Sequence, residues 1–401
     1  MVSALHLSIF FFFLCITTVY SLPAVIDVTK LGARADGKTD NAKAFLNAWT
    51  QACGATQTTK LLIPAGRYLT GPVNFQGQCK NRVEVQLDGT IVAPADLYGI
   101  QDWINFKYIT GFTLSGKGGF DGQGKLTWSQ NQCKDKESGG KCKFPISVRF
   151  NFVNDAVISG ISSVDSKLAH INVFGCKNIK LQHIKISAPA ESLNTDGIHI
   201  GSSTGVEISH SNIATGDDCV SMVNGTSNVN VFDVTCGPGH GVAIGSMGGP
   251  NKENKEEIIT NVAVRNCTFT GTDNGVRIKT WPAGVAGIAR NLTFEDIIMN
   301  NVQNPVVIDQ EYCPYNKCNK KIPSRIKISD VKFRNIRGTS ATKEALILSC
   351  SKGAPCQGVE LSDINLKFTG PGGVATSICA NLKPVIAKNL IPATCGTKAT
   401  I

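Results

Sequence analysis

The chain predicts an all-β fold, a right-handed parallel β-helix (a solenoid) with a short N-terminal capping helix. Three observations carry that reading. Asp196, Asp218 and His240 are separated by equal steps of 22 residues, about the length that one coil of a β-solenoid consumes. From about residue 150 onward a single plan recurs: a short alternating run, a polar corner that is often Asn or Asp, then a second apolar strand. It is legible at residues 178–184, 205–213, 228–234, 261–269, 291–297, 324–333 and 358–364. The composition, with 40 Gly against 4 Trp, suits tight turns between short strands. The first apolar positions of the repeats (Ile179, Val206, Val229, Val262, Leu292, Ile326 and Val359) fall at intervals of 23 to 34 residues, and the surplus over one coil marks loop insertions. No helical period separates the strands, which argues against βαβ units, and a β-propeller would need longer repeats with hairpins inside each blade.

In chain order, residues 1–21 read as a secretory signal peptide. Ile9 to Leu14 form its apolar centre and Val19-Tyr20-Ser21 places small or neutral residues before the cut, although Lys and Arg are missing from its start. No other stretch approaches the ~20 apolar residues of a membrane span. Residues 22–401 are expected to form one β-helix domain, because each coil contacts only its neighbours and the core grows along one axis. Residues 25–28 read as a strand and 32–37 as a turn. Asp40 reads as a helix N-cap, with Ala42, Phe45, Trp49 and Cys53 on one helical face and Gly54 at its end. Such a helix would cover the open first coil, whose apolar side chains and unpaired edges need a lid. Residues 61–66 and 83–89 read as strands ending in turns, and 125–146 as a polar, Lys-rich loop.

Fifteen cysteines become fourteen once Cys15 leaves with the leader, an even number that in a secreted chain points to disulfides. The short spacings suggest Cys53/Cys79, Cys133/Cys142, Cys219/Cys236, Cys350/Cys356 and Cys379/Cys395, with Cys313/Cys318 as a further pair. Cys176 and Cys267 are left as buried thiols. Acceptor triplets for N-glycosylation start at Asn224, Asn266 and Asn291. The leader holds no charged residue, so the mature chain keeps the formal charge of +10. That excess favours an acidic partner. Secretion points away from nucleic acid and toward an acidic extracellular polymer or a membrane surface.

The candidate chemistry lies between Asn194 and Lys279. One coil step brings Asp196, Asp217 and Asp218 together. Clustered carboxylates cannot all stay ionised cheaply, so one should hold a proton near neutral pH, and an acid beside a carboxylate is what cleavage of a glycosidic bond requires. The same cluster also suits a hard cation such as calcium, and Asn/Asp corners occur on solenoid turns with no function at all. His240, between Gly239 and Gly241, stands in register with the aspartates and would tune their protonation; its glycines would let a ligand approach the backbone. His170, His183, His199 and His210 lack that register and read as structural. Arg277 and Lys279, at i and i+2 of a strand, point the same way. They would either neutralise the cluster or hold a substrate carboxylate, and the basic chain favours the second use. A loop near Lys252 to Glu257 is expected to overhang them.

Asn194-Thr195-Asp196, Gly216-Asp217-Asp218, Gly239-His240-Gly241 and Arg277-Ile278-Lys279 together resemble the four motifs of the polygalacturonases, glycoside hydrolases with a parallel β-helix fold. Cys176-Lys-Asn-Ile, Gly237-Pro-Gly-His240-Gly, Asp309-Gln-Glu-Tyr312-Cys-Pro-Tyr315 and residues 335–342 further resemble the plant pollen exopolygalacturonase branch, and the similarity covers essentially the whole mature chain. The resemblance implies that Asp217 is the general acid, that Asp196 and Asp218 activate the attacking water, and that His240 supports the acid. It implies that Arg277 and Lys279 bind the galacturonate carboxylate and that Tyr312 lines the sugar site. It implies inversion of configuration, no metal or other cofactor, and polygalacturonate or pectin as the substrate. The protein would be a secreted monomer of the cell wall, removing single units from the non-reducing end, with neither nucleic acid nor membrane as a partner. Endo-acting hydrolysis, a calcium-dependent pectate lyase on the same fold, and a binding protein that has kept the fold remain the alternatives.

Overall fold

The computed structural model describes residues 24–130, 143–249, 255–316 and 318–393. The expected leader, the Cys133/Cys142 pair, Cys395 and residues 252–254 of the expected overhanging loop lie outside these. Strand pairing between successive coils is parallel, and the register shows the coil directly: Ile198 pairs with Val220, Val220 with Val242, Val242 with Val276 and Val276 with Val306. All five side chains are fully buried. Each contributes roughly 1.5–3 kcal/mol of apolar burial, and the next column of one-coil neighbours repeats the contact. The result is a continuous core running the length of the solenoid. Among the described residues, one wall is an 11-stranded sheet running from Val73–Gln76 to Thr376–Ala380, and 19 further strands form the rest.

Alternation decides which side chains leave this core. On the strand Ile198–Gly201, Ile198 and Ile200 are buried inward, so His199 faces out. The corners between strands are built from residues in the left-handed backbone region. Asn178, Asn228, Asn261 and Asn291 occupy one such column with φ of 55, 53, 58 and 57°, a conformation that Asn tolerates better than most residues. Their amides bond along the column: Asn178 donates to Asp155 (3.0 Å), Asn261 to Asn228 (3.0 Å) and Asn291 to Asn261 (2.8 Å). His183 and His210 occupy a second left-handed column and stack at 5.2 Å. His170 is fully buried against Ser163 (2.8 Å), and burial pushes it down to about 3, so it stays neutral. These three are structural, as expected.

The N-terminal helix spans Ala42–Gly54 and buries Phe45, Ala48, Trp49 and Cys53. The Trp49 indole donates to Gln76 O (2.9 Å) and its ring meets Phe75 at 5.2 Å. The expected cap is displaced by one residue. Asn41 holds the cap position, but its side chain is used by Arg34, Thr39 and Leu69; Asp40 Oδ1 instead accepts from Ala42 N (3.0 Å) and Gly71 N (2.9 Å). Two further expectations change. Ile326 is not the repeat partner of Leu292; Val331 is, because the coil after Val306 carries a longer insertion that includes Tyr312. The interval pattern alone could not distribute that surplus. Among the described residues, Cys53–Cys79, Cys219–Cys236, Cys313–Cys318 and Cys350–Cys356 are disulfides, while Cys176 and Cys267 are buried free thiols that burial pushes up to about 11 and about 12. No helix among the described residues is long and apolar enough to cross a membrane.

Candidate active site

Asp196, Asp218 and His240 each stand two residues before the paired Ile198, Val220 and Val242, so they form a column, as their spacing predicts. The turns beneath them are fixed by hydroxyls. Thr195 Oγ1 meets Ser192 Oγ at 2.7 Å and Thr215 Oγ1 at 2.9 Å, and accepts from Gly216 N at 3.1 Å. The Cys219–Cys236 disulfide ties the strand that follows Asp218 to the turn that leads to His240. The glycines beside these residues serve the scaffold. A Cβ at Gly216 would lie 2.0 Å from Ser192 O, one at Gly239 2.6 Å from Asp217 O, and one at Gly241 2.1 Å from Asn274 O. Gly239 and Gly241 therefore let coils stack closely, rather than letting a ligand approach the backbone as their sequence suggested.

His240 leaves the column to bridge two carboxylates. Its Nδ1 is 3.1 Å from Asp217 Oδ1 and its Nε2 3.4 Å from Asp273 Oδ2. The hydrogen bond with Asp217 outweighs burial and raises His240 above its usual range. Burial pushes Asp217 up, but the hydrogen bond and charge of His240, helped by Lys279, leave it lowered. The two shifts run in opposite directions and favour the imidazole as the side of the pair that holds a proton. Asp196 is raised, first by burial and then by the charge of Asp217. It is the carboxylate of the cluster that resists ionisation. Asn194 Nδ2 approaches Asp217 Oδ2 at 3.4 Å.

Arg277 and Lys279 face the cleft together. Lys279 Nζ donates to Asp218 Oδ2 at 2.7 Å, and an Arg277 nitrogen lies 3.7 Å from Oδ1. Asp218, with a side chain only 3% exposed, thus faces two cations, which is the neutralising role weighed above. Arg277 Nε and Asp218 Oδ1 are buried without a hydrogen-bond partner among the described residues. The Tyr312 ring lies 5.6 Å from the Arg277 guanidinium and 5.5 Å from Lys279 Nζ, and Trp281 meets it edge-on at 5.4 Å. This aromatic corner closes one side of the cationic pair. Asp309 pairs in register with Lys279, and burial raises its carboxyl.

Three residues outside the sequence-derived set also lie here. Asp273 bridges to His240, and Ser221 and His199 bond near Asp196. The Ser221 hydroxyl donates to Asp196 Oδ2 at 2.8 Å, and His199 Nδ1 lies 2.7 Å from Ser221 Oγ. His199, expected to be structural, is brought in by strand alternation: it is the outward residue between Ile198 and Ile200 and pairs in register with Ser221. The coil spacing, applied to strand residues as well as to the turn, carries that signal.

Asp217, Asp218 and His240 offer ligand atoms within 4.8 Å of one another. The donor set is a poor cation site, because Lys279 and Arg277 already sit on Asp218 and His240 Nδ1 is engaged with Asp217.

Comparison with known proteins agrees with this architecture. The model of glycosyl hydrolases family 28 matches residues 53–395. A polygalacturonase of Gossypium hirsutum is 49% identical over 371 residues, covering 92% of this chain and 90% of the relative. An exopolygalacturonase of Platanus acerifolia is 46% identical over 379 residues, covering 94% and 98%. Among solved structures, an endo-xylogalacturonan hydrolase from Aspergillus tubingensis superposes with a TM-score of 0.80 at 23% identity over 93% of this chain and 99% of that one. An exopolygalacturonase from Thermotoga maritima gives 0.69 at 18% identity over 92% of each. At such identities these two speak for the β-helix fold. The family match and the plant relatives place the chain among the family 28 glycosyl hydrolases.

Proposed function

We propose that this protein is a secreted polygalacturonase of the plant cell wall that hydrolyses α-1,4-galacturonosyl links with inversion, releasing galacturonate from the non-reducing end. The observation that carries the reading is the cluster itself: Asp196 one coil from the adjacent Asp217 and Asp218, with Arg277 and Lys279 on Asp218. In this scheme Arg277 and Lys279 take the substrate carboxylate against Tyr312. Asp217 gives its proton to the leaving glycosidic oxygen as the C–O bond breaks. His240, 3.1 Å away, supplies that proton as the leaving oxygen draws it. Water held by Asp218 and Asp196 attacks the anomeric carbon, and its proton passes to Asp196. The exo mode is supported by relatives of Platanus acerifolia and Oenothera organensis that are named exopolygalacturonases.

Chromatography of polygalacturonate digests, with and without a chelator, tests the proposal. The expected product is saturated monomer, unchanged by chelation. A ladder of oligomers would replace exo by endo action, and unsaturated products lost on chelation would mean a lyase.

A further inference from the structure

We propose that Ser221 and His199 form a hydrogen-bonded clamp that holds Asp196 in its catalytic orientation, His199 donating to Ser221 and Ser221 donating to Asp196; the inference rests on the role given to Asp196 above. The geometry leaves one direction for the chain of bonds. Ser221 has a single hydroxyl proton, and in the ionised form of Asp196 that accepts the water's proton, Oδ2 only accepts, so the hydroxyl donates to it across 2.8 Å. The 2.7 Å contact between Ser221 Oγ and His199 Nδ1 must then carry a proton from the imidazole, so Nδ1 is the nitrogen that bears hydrogen. His199 Nδ1 itself stands 3.7 Å from Asp196 Oδ2, too far for a direct bond, so Ser221 is the link.

The scaffold makes the clamp rigid. Ser221 lies between the fully buried Val220 and Met222 and is itself 2% exposed. It pairs with His199 on one side and Ala243 on the other. Arg277, which pairs with Ala243, shares this outward column. The clamp and the cation that would receive substrate thus stand on one sheet face. With Oδ2 committed to Ser221, Oδ1 of Asp196 is the oxygen left for water. Both are positioning residues.

The charged groups around Asp196 set the sign of the pH effect. Asp217 and Asp218, on the next coil, raise it, and His199 lowers it. Asp218 is covered by Lys279 and Arg277, and Asp217 by His240. On the coil below, His170 and Lys167 turn to Ser163 and to Gly122 O. Removing the clamp leaves the raising influences unopposed. If Asp196 acts ionised, the acid limb of the rate profile moves to higher pH.

The test compares Ser221→Ala, His199→Leu, His199→Asn and Asp196→Asn as full chains on polygalacturonate, reading kcat, KM and the pH dependence of kcat. Ser221→Ala and His199→Leu should lower kcat roughly ten- to hundredfold, the scale of a misaligned reacting group. KM should stay within a few-fold, and the acid limb should move up. His199→Asn, whose amide nitrogen replaces Nδ1, should recover most of the loss. Unchanged kcat and acid limb in both Ser221→Ala and His199→Leu, beside an inactive Asp196→Asn, would overturn the clamp alone. An active Asp196→Asn would overturn the role of Asp196 on which it rests. His199 is 31% exposed on its side chain, so its variants keep the test open should Ser221→Ala fail to fold.

Discussion

Two columns of this solenoid stack polar residues at coil spacing, and they end differently. In the corner column of Asn178, Asn228, Asn261 and Asn291, interrupted by Gly205 after Asn178, the amides of Asn228, Asn261 and Asn291 satisfy one another because each is both donor and acceptor. In the cleft column, Asp196 and Asp218 present carboxylates, which only accept and which repel. The same register that satisfies the first column frustrates the second. The fold answers with Lys279 on Asp218 and His240 on Asp217, and leaves Asp196 raised. A column that its own repeat cannot satisfy is where the chemistry is expected.

The comparison breaks most visibly at Asp217. Replacing it with Asn removes the only proton donor proposed for the leaving oxygen, and turnover should fall by roughly 10²–10⁴-fold, read as reducing ends released. The chain should still fold, because the hydrogen bond to His240 has a neutral replacement.

A smaller but structural effect is expected at Lys279. Lys279→Met leaves Asp218 buried beside a more distant Arg277 and should cost about 3–5 kcal/mol in denaturant unfolding, the scale for a broken buried pair. Adding Asp218→Asn should restore much of that stability without restoring activity, since the charge itself is the burden. Equal loss in the single and double variants would mean that packing, not charge, explains Lys279.

The pH dependence separates the two columns without mutation. His240 is raised, so its share of stability is fully present below the ordinary histidine value of about 6.5 and is lost as pH rises through the raised value. Asp217 is lowered, so its share is present above about 3.9 and is lost as pH falls through the lowered value. The ion pair therefore stabilises the window between, and the alkaline limb of activity should follow His240. His240→Gln should remove that limb. The Asn column titrates nothing. Asn261→Ala should cost about 1 kcal/mol at any pH, with activity unchanged.

Much of this was legible in the sequence, and the reason is periodicity. The equal steps from Asp196 to His240 place three residues in register because that part of the solenoid carries no insertion. The alternation of Arg277 and Lys279 gave their shared face. Legibility failed where the chain departs from the repeat. Ile326 took the place of Val331 because an insertion can be lodged at either side of a strand and the interval does not say which. In sequence the glycines around His240 suit a ligand's approach, whereas coil stacking uses them, since close approach of backbone to backbone selects the same residue as close approach of backbone to ligand. His199 and His210 differ by which face their backbone presents: His210 sits at a left-handed corner and stacks on His183, whereas His199 is the outward residue of a strand. Asp273 was invisible because it meets His240 only after an inserted loop.

The most direct test of the frustrated column is thermal unfolding of Asp196→Asn beside Asn261→Ala, with activity measured on the same samples. Burial and like charge disfavour ionised Asp196, so Asp196→Asn should abolish turnover while holding or raising Tm, whereas Asn261→Ala should lower Tm and leave turnover intact. An Asp196→Asn variant that unfolds as early as Asn261→Ala and still hydrolyses polygalacturonate would contradict the account.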